Sequence, residues 1–278
     1  MDTCAERGSN GAMALRTSPW PPGVPCWADL SSPDVESTVA FYEAVLPWSF
    51  ADTGEEFGGY RIAEANGGAA AGVGPQQAPD MPVAWTLYFA SDDADATASA
   101  VREHGGTVLA EPFDVGDLGR MFVAVDPTGA AFGVWQHGTH IGAGVVNEPG
   151  GITWEDLRTT NVDAAAAFYT SVFGVVVTPM PEAGEGYSTF RREDEDWPMG
   201  GMGGMEGAPE GTPPHWLVYF VVDDIAAALD AAREHGGTVL ADPFDTPYGT
   251  MTPLADPHGA TFWLTQPPAD SPQPPREG

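Results

Sequence analysis

The sequence predicts an α+β protein of two tandem modules, each a pair of βαβββ units forming a curved, cup-shaped mixed sheet with helices outside. Three observations carry this. First, Trp27-Ala-Asp-Leu-Ser-Ser-Pro-Asp-Val-Glu-Ser-Thr-Val-Ala-Phe-Tyr42 returns as Trp154-Glu-Asp-Leu-Arg-Thr-Thr-Asn-Val-Asp-Ala-Ala-Ala-Ala-Phe-Tyr169, at a constant offset of 127 residues. Second, Trp85-Thr-Leu-Tyr-Phe-Ala-Ser-Asp-Asp93 returns as Trp216-Leu-Val-Tyr-Phe-Val-Val-Asp-Asp224, now at an offset of 131. Third, each helical segment carries one apolar stripe, so each sheet buries one face under its helices and leaves the other free.

In chain order, residues 1–22 mix Gly, Ser, Asn, Arg and Pro without periodicity and read as a flexible leader ending in Pro21-Pro22. Module one spans 23–139. It opens with a strand from Pro25 to Leu30, after which Asp34 caps a helix striped by Val35, Val39, Tyr42 and Leu46. The second copy caps with Asn161, is striped by Val162, Ala166, Tyr169 and Phe173, and stops at Gly174. Short strand-like runs follow. Tyr60-Arg-Ile-Ala matches Tyr187-Ser-Thr-Phe, and 70–74 is matched by the Gly- and Met-rich 198–205. Proline-rich loops at 75–82 and 206–214 separate the halves of each module, and the changed offset puts extra residues into the second loop. Each second half runs strand, acid-capped helix (Asp92 or Asp93; Asp223 or Asp224), Arg-Glu-His-Gly-Gly (102–106; 233–237) and a strand opening Thr-Val-Leu-Ala. It ends with a strand, an Asp-Pro-x-Gly turn (126–129; 256–259) and a last strand (131–136; 261–266). A linker covers 140–150, module two 151–267, and a proline-rich flexible tail 268–278.

The 278 residues are 42% hydrophobic, enough for packed cores, and carry 40 acids against 10 bases, a net charge of −30. That charge argues against nucleic acid or an anionic membrane as partner. It suits a cationic ligand, and equally a solvated acidic surface. Two cysteines, Cys4 and Cys26, make no disulfide framework. The first twenty residues lack an apolar signal-peptide region, and no apolar run is long enough to span a bilayer, so the chain reads as cytoplasmic.

The succession of strand, Asp-Val or Asn-Val helix, Ala-Phe-Tyr, strand, Asp-Asp helix, His-Gly-Gly and Asp-Pro-x-Gly resembles the vicinal oxygen chelate superfamily over residues 25–266. It is most similar to tandem glyoxalase/bleomycin-resistance/dioxygenase-like members. The fold hosts isomerases, oxygenases, transferases and plain binders, so function has to come from the site. The resemblance implies metal ligands at four strand positions facing each hollow. Here three of those positions hold Trp27, Thr86 and Gly133 in module one, and Trp154, Leu217 and Trp263 in module two. The fourth strand offers only Gly72, Val73 and Gly74, or residues 200–205. Trp, Leu and Gly cannot coordinate a divalent cation. No metal and no other cofactor is therefore expected, with His137 and His215 as weak candidates for a relocated site.

Strand alternation puts Trp27 with Asp29, Trp154 with Asp156, Thr86 with Tyr88, Leu217 with Tyr219, and Gly133 with Trp135 on shared faces, with Trp263 opposite in the second copy. Tyr60 and Tyr187 join them. Such walls suit a flat or cationic organic ligand, by stacking, cation–π contact and a fixed carboxylate. The same residues fit plain core packing. Trp85 and Trp216 have the opposite parity and belong under the helices. The expected function is metal-independent binding of an aromatic or cationic natural product, for sequestration or antibiotic resistance. The rival is an isomerase, cyclase or lyase using Asp29 or Asp156 as base, or a relocated metal. The bulk of Leu217 and Trp263 against Thr86 and Gly133 predicts the roomier pocket in module one. Tandem pairing predicts a monomer, with a homodimer as the alternative.

Overall fold

Each repeated stretch folds as its pattern dictates. The computed structural model describes residues 15–54, 57–79 and 81–268. Module one comprises β1 (Pro25–Ser32), α1 (Val35–Val45), β2 (Ser49–Asp52), β3 (Arg61–Ala65) and β4 (Gly68–Pro75), then β5 (Trp85–Ala90), α2 (Ala94–Glu103), β6 (Thr107–Val115), β7 (Gly119–Val125) and β8 (Ala131–His137). Module two comprises β9 (Ile152–Arg158), α3 (Val162–Phe173), β10 (Val176–Pro179), β11 (Ser188–Arg191) and β12 (Gly200–Gly203), then β13 (His215–Val221), α4 (Ile225–Glu234), β14 (Thr238–Val239), β15 (Phe244–Thr246), β16 (Gly249–Ala255) and β17 (Thr261–Gln266). The helices start where a side-chain oxygen takes up a free N–H. Asp34 accepts from Ser37, Asp93 from Ala96, Asn161 from Ala164 and Asp224 from Ala227. Gly174 ends α3 in the left-handed region at φ 70°, which costs glycine little.

Module one forms one eight-stranded sheet in the order β2-β3-β4-β1-β5-β8-β7-β6. Module two repeats it as β10-β11-β12-β9-β13-β17-β16-β14, with β15 paired to β16. In each, the two units meet through an antiparallel central pair, β1 with β5 and β9 with β13. The outer partners of that pair run parallel to it: β4 and β8 in module one, β12 and β17 in module two.

The helices lie between the two sheets, and one continuous core spans both modules. The helix α1 packs on α4 and α2 on α3. Phe41 and Tyr42 of α1 reach Phe262 of the other module, at 6.2 and 5.3 Å between ring centres. Phe168, Tyr169 and Phe173 of α3 surround Phe132. Trp85 and Trp216 are buried in this layer, donating from Nε1 to the hydroxyls of Tyr42 (3.1 Å) and Tyr169 (2.9 Å). The buried face of α1 is Thr38, Phe41, Tyr42 and Val45, rotated from the expected stripe. Val35 and Val39 sit at its margin, because Phe41 is covered by the other module.

Residues 15–22, assigned from sequence to a flexible leader, are pinned. The Arg16 N–H donates to the Gly144 carbonyl (3.0 Å), Trp20 Nε1 donates to the Ala143 carbonyl (3.0 Å), and Leu15 packs on the core. The linker is tied down equally: the Ala143 N–H donates to Cys26 and that of Gly144 to Ala69, both at 2.7 Å. The rest of the leader, with Cys4, and the tail beyond Pro268 lie outside the described residues. Among the described residues no helix is long and apolar enough to cross a membrane.

Candidate functional site

With the convex faces used up in the common core, each concave face is what remains for a ligand, and the strand period fixes its lining. The same four-residue network lies in both cups. In module one Trp27 Nε1 donates to the Tyr60 hydroxyl (3.0 Å), and Tyr60 and Tyr88 both donate to Asp29 Oδ2 (3.3 and 3.1 Å). In module two Trp154 Nε1 donates to the Tyr187 hydroxyl (3.3 Å), Tyr187 donates to Asp156 Oδ1 (2.8 Å), and Tyr219 reaches Oδ2 at 3.5 Å. The tyrosines lie flat where glycines leave room. A Cβ at Gly72 or Gly133 would collide with Tyr60 or Tyr88, and one at Gly201 with Tyr187. Glycine at those positions is what allows a Trp-Tyr-Asp-Tyr set to close up.

The two cups then diverge. In module one Trp27, Tyr88 and Trp135 are buried in a small apolar cluster with Cys26 and Ala143, backed by Trp20, Ile62, Leu118 and Met121. The linker caps it. His140 stands edge-on to Trp27 (4.6 Å, 86°) and Trp135 (5.6 Å, 70°), and its carbonyl accepts from Trp135 Nε1 at 2.9 Å. Burial pulls the His140 imidazole down to about 4, so it is a neutral lid at pH 7. Phe57, from the loop before β3, reaches the turn at Gly116. The room expected in module one from Gly133 is taken up. Gly133 does not leave a void; it admits the ring of Tyr88.

Module two is less covered at its indoles. Trp154 and Trp263 are half-buried, where Trp27 is buried, while Asp156, Tyr219 and Thr265 are buried and Tyr187 is half-buried as Tyr60 is. Trp263 occupies the position of Gly133 and stacks on Tyr219 at 5.1 Å and 21°, with Phe244 edge-on at 6.0 Å. Thr265 replaces Trp135; its hydroxyl is buried and has no hydrogen-bond partner. Phe244 is itself exposed. One residue is peculiar to this cup. Arg158, where module one has Ser31, shares a strand face with Trp154 and Asp156 and lies 3.8 Å from Asp156.

Burial pushes the Asp29 carboxyl up to about 7, against the pull of its bonds from Tyr88 and Tyr60. Burial likewise raises Asp156 to about 6, opposed by Tyr187 and then by Arg158. Burial and then the charge of Asp156 lift Glu155, on the opposite face of β9, to about 8.

The expected site residues Trp27, Asp29, Tyr60 and Tyr88 come together in one cup, beside Trp135 and with Thr86 in register opposite Asp29. Trp154, Asp156, Tyr219 and Trp263 come together in the other. The weak metal candidates do not converge. His137 is exposed against the carbonyl of Gly138, and His215 is held by the carbonyl of Pro213 at 2.8 Å. Among the described residues no three His, Cys, Asp or Glu side chains could share an ion. The side chains at the expected ligand positions, indoles, glycines, one Thr and one Leu, do not fit a divalent cation, and each cup adds a single carboxylate, Asp29 or Asp156. Sequence reasoning missed Arg158, although its parity with Asp156 was there to read, and His140, which no repeat marks.

Comparison with known proteins agrees with this architecture. Residues 27–156 and 151–264 match the Glyoxalase/Bleomycin resistance protein/Dioxygenase superfamily. A Mycobacterium tuberculosis protein named "Putative glyoxylase CFP32" is 41% identical over 252 residues, covering 88% of this chain and 95% of its own. The anthracycline biosynthesis protein DnrV of Streptomyces peucetius is 38% identical over 262 residues, covering 88% and 94%. Among solved structures, the Mn(II)-bound glyoxalase from Novosphingobium aromaticivorans superposes with a TM-score of 0.62 at 18% identity, over 88% of this chain and 82% of its own. The 2,3-dioxygenase LapB from Pseudomonas sp. KL28 gives 0.59 at 14% identity, over 90% and 95%. At those identities the solved structures speak for the fold alone. Two tandem family matches spanning most of the chain, on two cup-shaped sheets of the same strand order, establish that this chain belongs to the Glyoxalase/Bleomycin resistance protein/Dioxygenase superfamily.

Proposed function

We propose that the chain binds a flat aromatic small molecule in the cup of module two, without a metal and without chemical turnover, as a sequestering or carrier protein. Module one, plugged by its own side chains, serves as scaffold. The observation that carries this is the half-buried Trp263, stacked on the buried ring of Tyr219, beside the half-buried Trp154. Indoles left part-exposed in a cup offer a further ring a surface to pack on, worth about 0.5–1.5 kcal/mol per aromatic pair beyond the area buried. The name of the Streptomyces peucetius relative, an anthracycline biosynthesis protein, supports a fused-ring aromatic as ligand. The net charge of −30 supports a reading with neither an anionic membrane nor nucleic acid as partner. The cationic side of the expectation is weakened, because Asp156 already faces two tyrosines and Arg158.

The test is tryptophan-fluorescence titration with 9,10-anthraquinone derivatives, followed by mass analysis of the recovered compound. Saturation at one equivalent, loss of binding in Trp263→Ala, and unchanged compound are expected. Binding at two equivalents, or conversion of the compound, overturns the reading. One observation favours a second reading, in which Asp156 is the base of an isomerase-type reaction. A carboxylate lifted to about 6 takes up protons near neutrality more readily than an ordinary one. Turnover abolished by Asp156→Asn would select it.

A further inference from the structure

We infer that Arg158 makes the module-two cup selective for a fused-ring aromatic that carries an anionic oxygen, such as a carboxylate, at one end. The inference rests on the aromatic-binding reading above and deepens it by naming the ligand's charge. Arg158 is the last residue of β9 and stands on the concave face with Trp154 and Asp156. Its Nη1 lies over Gly203 on the neighbouring strand, where an added Cβ would sit 3.3 Å away, so the guanidinium lies along the floor of the cup. A guanidinium carries five N–H donors in a fixed fork. Among the described residues Arg158 makes one hydrogen bond, from Nη2 to the Glu206 carbonyl at 3.0 Å. Its approach to Asp156, at 3.8 Å, is an ion pair beyond hydrogen-bond reach. Several donors are left for a ligand.

Asp156 is not available to a cation in the same way. Tyr187 donates to one of its oxygens and Tyr219 to the other, and Arg158 stands beside it. The pair therefore offers unused donors but few unused acceptors, which is the polarity that receives an anionic oxygen. Module one provides the contrast. There the same Trp-Tyr-Asp-Tyr network has Ser31 in place of Arg158, and the cup is filled.

Register sets the layout. Trp154, Tyr219 and Trp263 lie in one row across β9, β13 and β17. Arg158 is four residues further along β9, about 13 Å at the rise of a strand. Trp263 lies two strands from β9, and the guanidinium of Arg158 turns back to within 3.8 Å of Asp156, so a ring on Trp263 and an acidic oxygen at Arg158 are held across the cup.

Three probes on one ring system test this: anthraquinone-2-carboxylate, neutral 2-methylanthraquinone and cationic 2-(aminomethyl)anthraquinone. Each is titrated against the full chain and against Arg158→Gln and Arg158→Ser. In the wild-type chain the carboxylate is expected to bind about tenfold or more tighter than the methyl compound, with the cation weakest. In both variants the ratio of carboxylate to methyl affinity falls to about one. If the neutral probe binds and the carboxylate binds no better, or the preference survives in Arg158→Gln, this inference fails while the aromatic-binding reading stands. If none of the three binds, the aromatic-binding reading fails and this inference goes with it. The wild-type probe series requires no substitution to fold, and circular dichroism of the variants separates lost selectivity from lost structure.

Discussion

Asp29 and Asp156 occupy equivalent repeat positions and receive the same pair of tyrosines, so their differences come from what surrounds them. Asp29 lies under a sealed aromatic cluster and is pushed further, to about 7; Asp156 has Arg158 beside it and stops at about 6. Glu155 goes to about 8. All three shifts are upward, so the folded chain holds protons that the unfolded chain releases near pH 4. Between about pH 4 and 8 the native state thus binds more protons, and unfolding free energy falls as pH rises. Urea unfolding at pH 5 and pH 8 is expected to show a loss on the order of 2 kcal/mol or more toward pH 8. Self-repulsion among the −30 net charge acts in the same direction, so the residue-level check is Asp29→Asn, which is expected to flatten the slope. An unchanged slope would mean that Asp29 ionises as an ordinary surface acid. The plug itself is testable through Trp135→Thr, which installs the residue that module two carries at that place. It empties a buried indole site and is expected to cost about 3–5 kcal/mol by the same urea measurement. The positions of these side chains were legible from strand alternation alone. That one cup is filled and the other less covered at its indoles was not. The filling comes from Trp20, Phe57 and His140, in unrepeated segments whose composition resembles ordinary loop, and from tyrosines folding into glycine space that sequence counts as vacancy.

At the scale of elements, the most repeated motifs turn out to describe the joint between modules rather than either cup. The Tyr of Ala-Phe-Tyr crosses to the other module's Asp-Pro-x-Gly turn. Tyr169 donates to Asp126 Oδ2 at 3.2 Å, while Asp126 Oδ1 holds the N–H groups of Thr128, Gly129 and Ala130. Tyr42 lies against Asp256, whose charge adds to burial in raising its phenol. The Phe of the same motif lies on the other module's His-Gly-Gly. A Cβ at Gly237 would stand 2.6 Å from the ring of Phe41, and one at Gly106 would meet Phe168 at 3.0 Å. Gly106→Ala and Gly237→Ala are therefore each expected to destabilise the chain by about 1–3 kcal/mol, Gly237→Ala through overpacking of the partner's ring and Gly106→Ala through Val101 and the Val125 carbonyl as well as Phe168. Thermal melts check this, and relief of the Gly237→Ala defect by Phe41→Leu would identify the ring as the cause. The helices and their caps were legible in sequence because a stop, a cap and a stripe are local signals. The face each helix buries was not, since Phe41 counts as exposed until a second module covers it.

At the scale of the molecule, the convex face of each cup is the other's cover. The helices of both modules share one core, and contacts such as Trp48–Phe220 at 5.1 Å and Phe89–Trp216 at 5.4 Å join the sheets directly. A single module would leave Phe41, Tyr42, Trp85 and Phe89, or Phe168, Tyr169, Trp216 and Phe220, facing water. An apolar surface of that kind is not carried by a soluble monomer. It follows that the two modules unfold together, although a chain of 278 residues has length for two independent domains. In urea, tryptophan fluorescence, which reports the core and both cups, and far-ultraviolet circular dichroism, which reports the helices between the sheets, are expected to give coincident single transitions. Residues 1–139 and 140–278, expressed separately, are expected to aggregate or to pair, and to recover a defined melt when mixed. The intact chain, with those faces already covered, is expected to run as a monomer in size-exclusion chromatography. Two resolved transitions in the whole chain, or a half that stays monomeric and folded alone, would show that the shared core is a contact between independent domains, and the division into scaffold cup and working cup would lose its structural basis.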